Sequence, residues 1–383
     1  MKCMNQEISL AVVGAGPAGS TAAEVAAIAG ANVILIERKQ EIGAPVQCGG
    51  FLPDYDELRE LLPHSVLPIT IEDIPSRCIF HRTTLQRIYA PSGQSKEFPV
   101  KARILDRRAF DRHLAYRAAK AGAKILPATR AELSNNELKL HGRFFGSLRP
   151  KVIIGADGPL SSVARFMGAG SQEMGICLEY EMMNVDIDYR AAEMYFGTRW
   201  ASGGYAWIIP LGEDTANVGV GVRSSYIGKT KLPAILDRFI HEHPVASKKL
   251  LKGEVLAVMR GMVPAGGSRK KVQMNNLLLA GDAAGHVIAT SGGGIPLAMV
   301  AGRIAGEIAA GYLKGNCFLE DYSPRINEEF GLELERSVQI RRMVDIVMRN
   351  DKLMDSLFAV LEPDQIKSVM RAKIPGILTN FNK

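Results

Sequence analysis

The chain has 383 residues, 47% hydrophobic and 23% charged, with Lys+Arg 47 against Asp+Glu 40 for a net charge of +7. At roughly 150 residues per domain this length predicts two to three domains, and the composition excludes an intrinsically disordered chain. No basic tract or nucleic-acid motif accompanies the charge, so the excess suits an acidic protein partner or an anionic membrane surface, not nucleic acid.

The 5 cysteines (Cys3, Cys48, Cys78, Cys177 and Cys317) are scattered singly, without a C-x-x-C pair. That spacing predicts neither a zinc site nor a disulfide framework, and no metal site is expected. The first residues lack the basic-then-apolar pattern of a signal peptide, and the uncharged run from Val25 to Ile36 is too short to span a bilayer. A reducing cytoplasm is the expected compartment, with any lipid contact peripheral.

Ile8 to Val13 is an apolar, β-branched run that predicts a buried parallel strand. Gly14-Ala15-Gly16-Pro17-Ala18-Gly19 follows at once, then the strong helix former Ser20 to Ala27, then a second strand from Asn32 to Ile36 ending on Glu37. This is G-x-G-x-x-G in the setting that gives it meaning. Gly14 permits the tight turn, Gly16 lets backbone approach a pyrophosphate, and Gly19 lets helix pack on strand. The helix N-terminus offers free N–H groups to phosphate, and Glu37 stands where a carboxylate binds ribose hydroxyls, which disfavours a 2′-phosphate. FAD and NAD both remain open on this element.

Residues from about Ile71 to Phe98 read as strands between turn residues. Ile104 to Leu114 reads as a helix start with Asp106 as N-cap and Phe110 and Leu114 one turn apart. Lys124 to Leu126 is a short strand, and Val152 to Gly155 is a buried strand ending in the Asp157-Gly158 turn, with Asp157 a turn and cap residue. From about Gly175 to Met262 strands again alternate with Gly, Pro and Asp turns, including Ile176 to Tyr180, Ala206 to Ile209 and Ala216 to Val222 with its period-two glycines. Asn276 to Leu279 is a further buried strand, closed by Gly281-Asp282 and followed by a small-residue helix. From Ile326 onward helical periodicity runs through Phe330, Leu334, Val338, Met343 and Val347, with Arg336, Arg341, Arg342 and Arg349 on an amphipathic stretch. That stretch suits a solvated helix or a basic surface resting on anionic lipid.

These blocks, in this order, resemble the flavoprotein hydroxylase superfamily, and within it the geranylgeranyl reductase family, particularly archaeal digeranylgeranylglycerophospholipid reductases. The specific marks are Pro45-Val46-Gln47-Cys48-Gly49-Gly50, Tyr205-Ala206-Trp207-Ile208-Ile209-Pro210, Ala216 to Gly221, and Ser291-Gly292-Gly293-Gly294-Ile295. Ile209 stands where the family's Y-x-W-x-F-P motif has Phe. The resemblance implies an α/β fold: a discontinuous FAD-binding Rossmann-like domain (1–70, 99–174 and 263–320), an inserted antiparallel-sheet substrate domain (71–98 and 175–262), and a C-terminal helical region (321–383).

It also implies FAD as cofactor. Gly14, Gly16, Ala18 and Gly19 would hold the pyrophosphate, Glu37 and Arg38 the ribose side, Arg107 the pyrophosphate, and Ala131 the adenine through its backbone. Cys48 and Gly49 would lie by the flavin, Asp282 on the ribityl chain, and Gly293, Gly294 and Ile295 on the pyrimidine edge. Tyr205, Trp207 and Pro210 would meet substrate, with Cys48 and Tyr205 as catalytic candidates. An ordinary role stands beside several of these. Arg107 can be a helix-start charge, Cys48 a small buried filler, Asp282 a helix cap, and Trp207 core packing.

The implied activity is reduction of isolated double bonds in geranylgeranyl chains of membrane lipids or prenyl diphosphates. No second G-x-G-x-x-G is present, so the expected electron donor is a ferredoxin-like carrier and not NADPH. The rival readings are an aromatic monooxygenase or halogenase on the same scaffold, and a non-catalytic flavin- or lipid-binding protein.

Overall fold

The opening apolar run becomes the strand Leu10–Val13, fully buried within a six-stranded sheet in the computed structural model, which describes residues 2–3, 8–134, 137–228 and 231–373. Its neighbours are Val33–Ile36 and Val152–Gly155, flanked in turn by Lys124–Leu126 and Leu277–Leu279, all parallel, with Gln273–Met274 added antiparallel at one edge. Strands buried on both faces carry near-continuous Val, Ile and Leu, which is why each reads as an apolar run and not as an alternation. The helix Pro17–Ile28 covers this sheet and packs on the long helix Ile295–Leu313. Their contact is made by alanines and glycines. A Cβ at Gly302 would lie 2.2 Å from the Ala18 carbonyl oxygen, so only glycine admits this approach. Asp106 caps the helix Arg107–Lys120, accepting from the N–H groups of Arg108 (2.9 Å) and Ala109 (3.1 Å).

An eight-stranded sheet forms the second layer, in the order Glu254–Pro264, Met174–Met183, Thr215–Arg223, Tyr205–Pro210, Ala191–Tyr195, Ile79–Tyr89, Ser95–Leu105 and Phe51–Pro53. All pairs are antiparallel except Ala191–Tyr195 with Ile79–Tyr89. Leu178, Met182, Ile208, Val218 and Val220 on one face bury the apolar side of the helix Leu232–Glu242. The opposite face looks toward the six-stranded domain, and the cavity lies between.

Several expectations are corrected. The boundary at residues 98/99 falls inside the strand Ser95–Leu105, whose period-two burial continues through Phe98, Val100, Ala102 and Ile104. Pro99 suggests a break, but it faces Leu85 beside a register shift in the partner strand, where a missing N–H is tolerated. Phe51–Pro53 likewise joins this sheet and not the dinucleotide domain. Residues 71–78 hold the end of the helix Ile69–Glu72 and the 3-10 turn Ser76–Cys78, each opened by a proline, so strand begins only at Ile79. Residues 232–250 are helical within a stretch expected to be strands; Ile235, Leu236, Phe239 and Ile240 recur at helical spacing. After Asp282 comes only the 3-10 turn Gly281–Ala284, the long helix waiting until Ile295.

A small four-stranded sheet of Thr129–Ser134, Glu137–Gly142, Phe144–Leu148 and Lys2–Cys3 sits beside the parallel sheet, undivided from it in the sequence reading. The C-terminal region is helical at Tyr322–Ile326, Asn327–Gly331, Leu332–Val347, Asp351–Val360 and Pro363–Met370. Residues 374–383 of the predicted helical region lie outside the described residues.

Candidate functional site

One cavity of about 1440 Å³ runs from the glycine turn, along the eight-stranded sheet, to the C-terminal helices. At its dinucleotide end Gly14 has φ +101°, and a Cβ there would stand 2.3 Å from the Ala156 carbonyl oxygen. A Cβ at Gly19 would meet the Gly14 oxygen at 1.8 Å, whereas Gly16 has open space above it. The turn is therefore closed on the protein side and open on the cavity side. Gly14, Gly16 and Ala18 line the cavity; Gly19 does not, and serves helix packing alone. Glu37, itself buried, accepts from the N–H groups of Ala15 (2.8 Å) and Lys39 (2.9 Å), tying the turn to the end of the next strand. Arg38 and Ala131 line the same end.

Arg107 and Asp111 form a two-point ion pair (3.1 Å and 3.1 Å) one helical turn apart. Burial disfavours the charged guanidinium, but Asp111 and the Cys48 thiol outweigh it and raise its pKa. Arg107 lines the cavity together with Asp111 and Cys48. The Asp282 carboxyl caps no helix and takes no hydrogen bond from the described residues. Burial pushes it up to about 6, with Arg107 pulling the other way. It lines the cavity with Gly293, Gly294 and Ile295, where the helix Ile295–Leu313 presents its N-terminus. Asp157 keeps its turn role, accepting from the Ser162 N–H (2.6 Å) and the Ser161 and Ser162 hydroxyls.

The sheet wall carries the aromatic motif. Strand alternation turns Tyr205, Trp207 and Ile209 into the cavity, and the Tyr205 and Trp207 rings meet edge-on at 5.8 Å. Pro210 falls on the opposite face, buried opposite Ala216, so its expected substrate contact is corrected by the same alternation. The period-two glycines now have a cause: a Cβ at Gly219 would sit 2.3 Å from the Trp207 indole, and one at Gly221 3.4 Å from it. Trp207 is only 8% exposed, and its Nε1 donates to Asn217 Oδ1 (2.7 Å). Asn217 Nδ2 in turn donates to Glu179 Oε2 (2.9 Å). A Cβ at Gly49 would lie 3.2 Å from Asn217 Oδ1, which puts this chain beside Cys48 and Gly49. The Tyr205 hydroxyl donates to the Ser291 carbonyl, and burial raises its pKa. Burial, with Glu179 and Cys48 adding to it, pushes the Cys177 thiol up to about 12.

Glu179 lies outside every motif of the sequence reading, and Asn217, although inside the Ala216 to Gly221 mark, carries no expected role there. Their signal is compositional: an acid at an inward position of the mostly apolar strand Met174–Met183, and an amide among the Val, Gly and Ala of the strand Thr215–Arg223.

The far end is apolar. Ile88, Val100, Met194 and Phe196 from the sheet face Met348, Met354, Leu357 and Phe358 from the C-terminal helices. Arg223 fixes these helices, pairing with Asp345 through both guanidinium nitrogens and donating from Nε to the Gly203 carbonyl (2.7 Å). Arg341 pairs with Glu173, so it faces inward and not toward lipid, whereas Arg336 and Arg342 are exposed.

Residues 9–130 match the model of the FAD dependent oxidoreductase family, and residues 173–263 that of the geranylgeranyl reductase catalytic domain. A digeranylgeranylglycerophospholipid reductase of Methanocaldococcus jannaschii is 35% identical over 404 aligned positions, covering 100% of this chain and 99% of that one. The chain belongs to the geranylgeranyl reductase family. A second relative within the family, digeranylgeranylglycerophospholipid reductase 2 of Methanopyrus kandleri, is 33% identical over 96% of this chain and 93% of its own. Among solved structures, a geranylgeranyl bacteriochlorophyll reductase-like protein from Thermoplasma acidophilum superposes with a TM-score of 0.83 at 29% identity, covering 100% and 99% of the two chains. A flavin-dependent brominase shares the fold at a TM-score of 0.75 and 16% identity, covering 98% of each.

Family membership makes FAD the cofactor, and the cavity fits it. Gly16 leaves backbone open to a pyrophosphate, two helix N-termini face the same space, and the unpartnered Asp282 carboxyl awaits a hydroxyl donor.

Proposed function

We propose that this chain saturates isolated double bonds in the geranylgeranyl chains of archaeal-type membrane lipids. The observation that carries the reading is the cavity's change of character along its length: phosphate- and ribose-binding groups at one end, Trp207 midway, and a methionine- and phenylalanine-lined pocket beyond. A polyprenyl chain needs such a lining, and the relatives at about a third identity carry the corresponding name.

Bound and reduced, FAD supplies a hydride. The remaining work falls to the protein. Gly14 to Ala18 hold the pyrophosphate against the helix dipole, Glu37 binds ribose, Asp282 the ribityl chain, and the helix start at Gly293 to Ile295 favours negative charge at its N-terminus. An isolated alkene has no carbonyl to polarise, so rate must come from orientation, exclusion of water and a placed proton. Trp207, fixed by Asn217 below and by the glycines beneath its ring, supplies the stiff wall. The brominase, at 16% identity, shares only the fold.

The decisive experiment is mass spectrometry of digeranylgeranyl phospholipid and geranylgeranyl diphosphate after incubation with chemically reduced holoenzyme. Gains in steps of two hydrogens are expected; unchanged masses for both would overturn the reading. The electron donor is a small acidic carrier of ferredoxin type, in keeping with the +7 charge. Flavin reduction by such a carrier should slow as salt rises, because steering is screened beyond about 8 Å near 0.15 M. Rapid, salt-insensitive reduction by NADPH alone would refute it. Among the described residues no helix is long and apolar enough to cross a membrane.

A further inference from the structure

Glu179 is a buried carboxyl with no ion pair among the described residues. It is 2% exposed, lines the cavity, and receives one hydrogen bond, from Asn217 to Oε2, among the described residues. The direction of that bond is fixed. An indole N–H can only donate, so Trp207 claims the Asn217 oxygen and leaves its NH₂ for Glu179. The amide thus anchors one carboxyl oxygen and leaves the other unpartnered. Asn217 also abuts Gly49, so the acid stands in the corner shared by Cys48, Trp207 and Tyr205.

We infer that Glu179 is the proton donor of the reduction. The inference rests on the proposed function. Saturating a C=C bond takes one hydride and one proton. The hydride, from reduced cofactor, forms one C–H bond as the π bond breaks; the Glu179 O–H bond breaks and its proton forms the C–H bond at the neighbouring carbon. The carboxylate left behind regains its proton from water.

Burial raises the Glu179 pKa, and the Asn217 hydrogen bond and the Arg107 charge only partly oppose this. The other ionisable groups on this side are Cys177 and Glu181 on its own strand, Tyr205 on the motif strand, and Cys48. Two of these suit the task less well. The Tyr205 proton is committed to the Ser291 carbonyl, and the Cys177 thiol is pushed up to about 12.

The test is Glu179→Gln in holoenzyme, an isosteric change that keeps an acceptor for Asn217. Flavin stoichiometry and melting temperature should match the parent. Single-turnover alkene reduction by chemically reduced enzyme should fall about 10²–10⁴-fold. In the parent that rate should be full at low pH and fall as pH rises through the elevated Glu179 pKa, with a solvent deuterium effect; the variant's residual rate should show neither. Infrared spectra of the holoenzyme should contain a protonated-carboxyl band that fades with rising pH in step with the rate and that Glu179→Gln removes. Parental rate and pH profile in the variant, or no such band, would overturn the inference while leaving the proposed function standing. A parent enzyme inactive on every prenyl substrate would instead overturn that function, and this inference with it.

Discussion

Glu37→Lys is expected to purify colourless. Glu37 accepts two backbone N–H groups at once, from Ala15 inside the glycine turn and from Lys39 just past the strand. Each hydrogen bond to a charged group contributes about 1.5–3 kcal/mol, and both are lost together with the ribose contact. The ammonium is also placed beside the positive end of the helix Pro17–Ile28, where a cation is disfavoured. FAD affinity should drop by at least about 10²-fold, read as flavin absorbance per protein and by reconstitution titration; Glu37→Gln, which keeps one acceptor, should lose less. A yellow Glu37→Lys protein with full flavin occupancy would refute the assignment.

Trp207→Ala should separate stability from turnover. In a closed core the truncation costs about 3–5 kcal/mol. Here the indole already faces a cavity on one side and rests on Gly219 and Gly221 on the other, so the loss should stay near 1–3 kcal/mol, read by thermal or denaturant unfolding. Prenyl reduction should fall far more steeply, or stop at partly saturated products, at unchanged flavin content. The substitution removes the wall and also frees the Asn217 amide to turn, so Glu179 loses its fixed partner. Trp207→Phe should restore the wall without the N–H, and recover substrate affinity more than rate. A stable, fully active Trp207→Ala would rule out a substrate wall at this position.

The dinucleotide end was legible because its signals are local. The glycine spacing, the flanking apolar strands and Glu37 all lie within 30 residues, and each residue's task follows from backbone geometry. The Asp106 cap and the paired aromatics of the motif strand were readable for the same reason. What escaped depends on pairing across the chain. That Asn217 joins Trp207 to Glu179 follows only from strand register, which links residues 38 positions apart. Pro210 was misplaced because a motif names neighbours in sequence, whereas the sheet sends alternate neighbours to opposite faces. The boundary near Pro99 failed where a bulge in the partner strand removed the usual penalty for proline. The apolar cavity end was invisible as such, since its methionines and leucines look like ordinary helix core until the sheet opposite is known.

Two hydrogen bonds join the C-terminal helices to the loop ahead of the helix Ile295–Leu313: Ser337 accepts from the Ala289 N–H, and the Thr290 hydroxyl donates to the Met370 carbonyl. Toward the sheet they are held by the Arg223–Asp345 and Arg341–Glu173 pairs, by Asp351 accepting from the Thr198 N–H and hydroxyl, by Lys367 donating to the Pro99 carbonyl, and by apolar contact. The apolar end of the cavity is therefore walled on one side by the last stretch of the chain and on the other by the sheet, away from the glycine turn and Asp282. Exchanging Met354, Leu357 or Phe358 for larger or smaller side chains would shorten or lengthen that end without altering the glycine turn, Glu37 or Asp282.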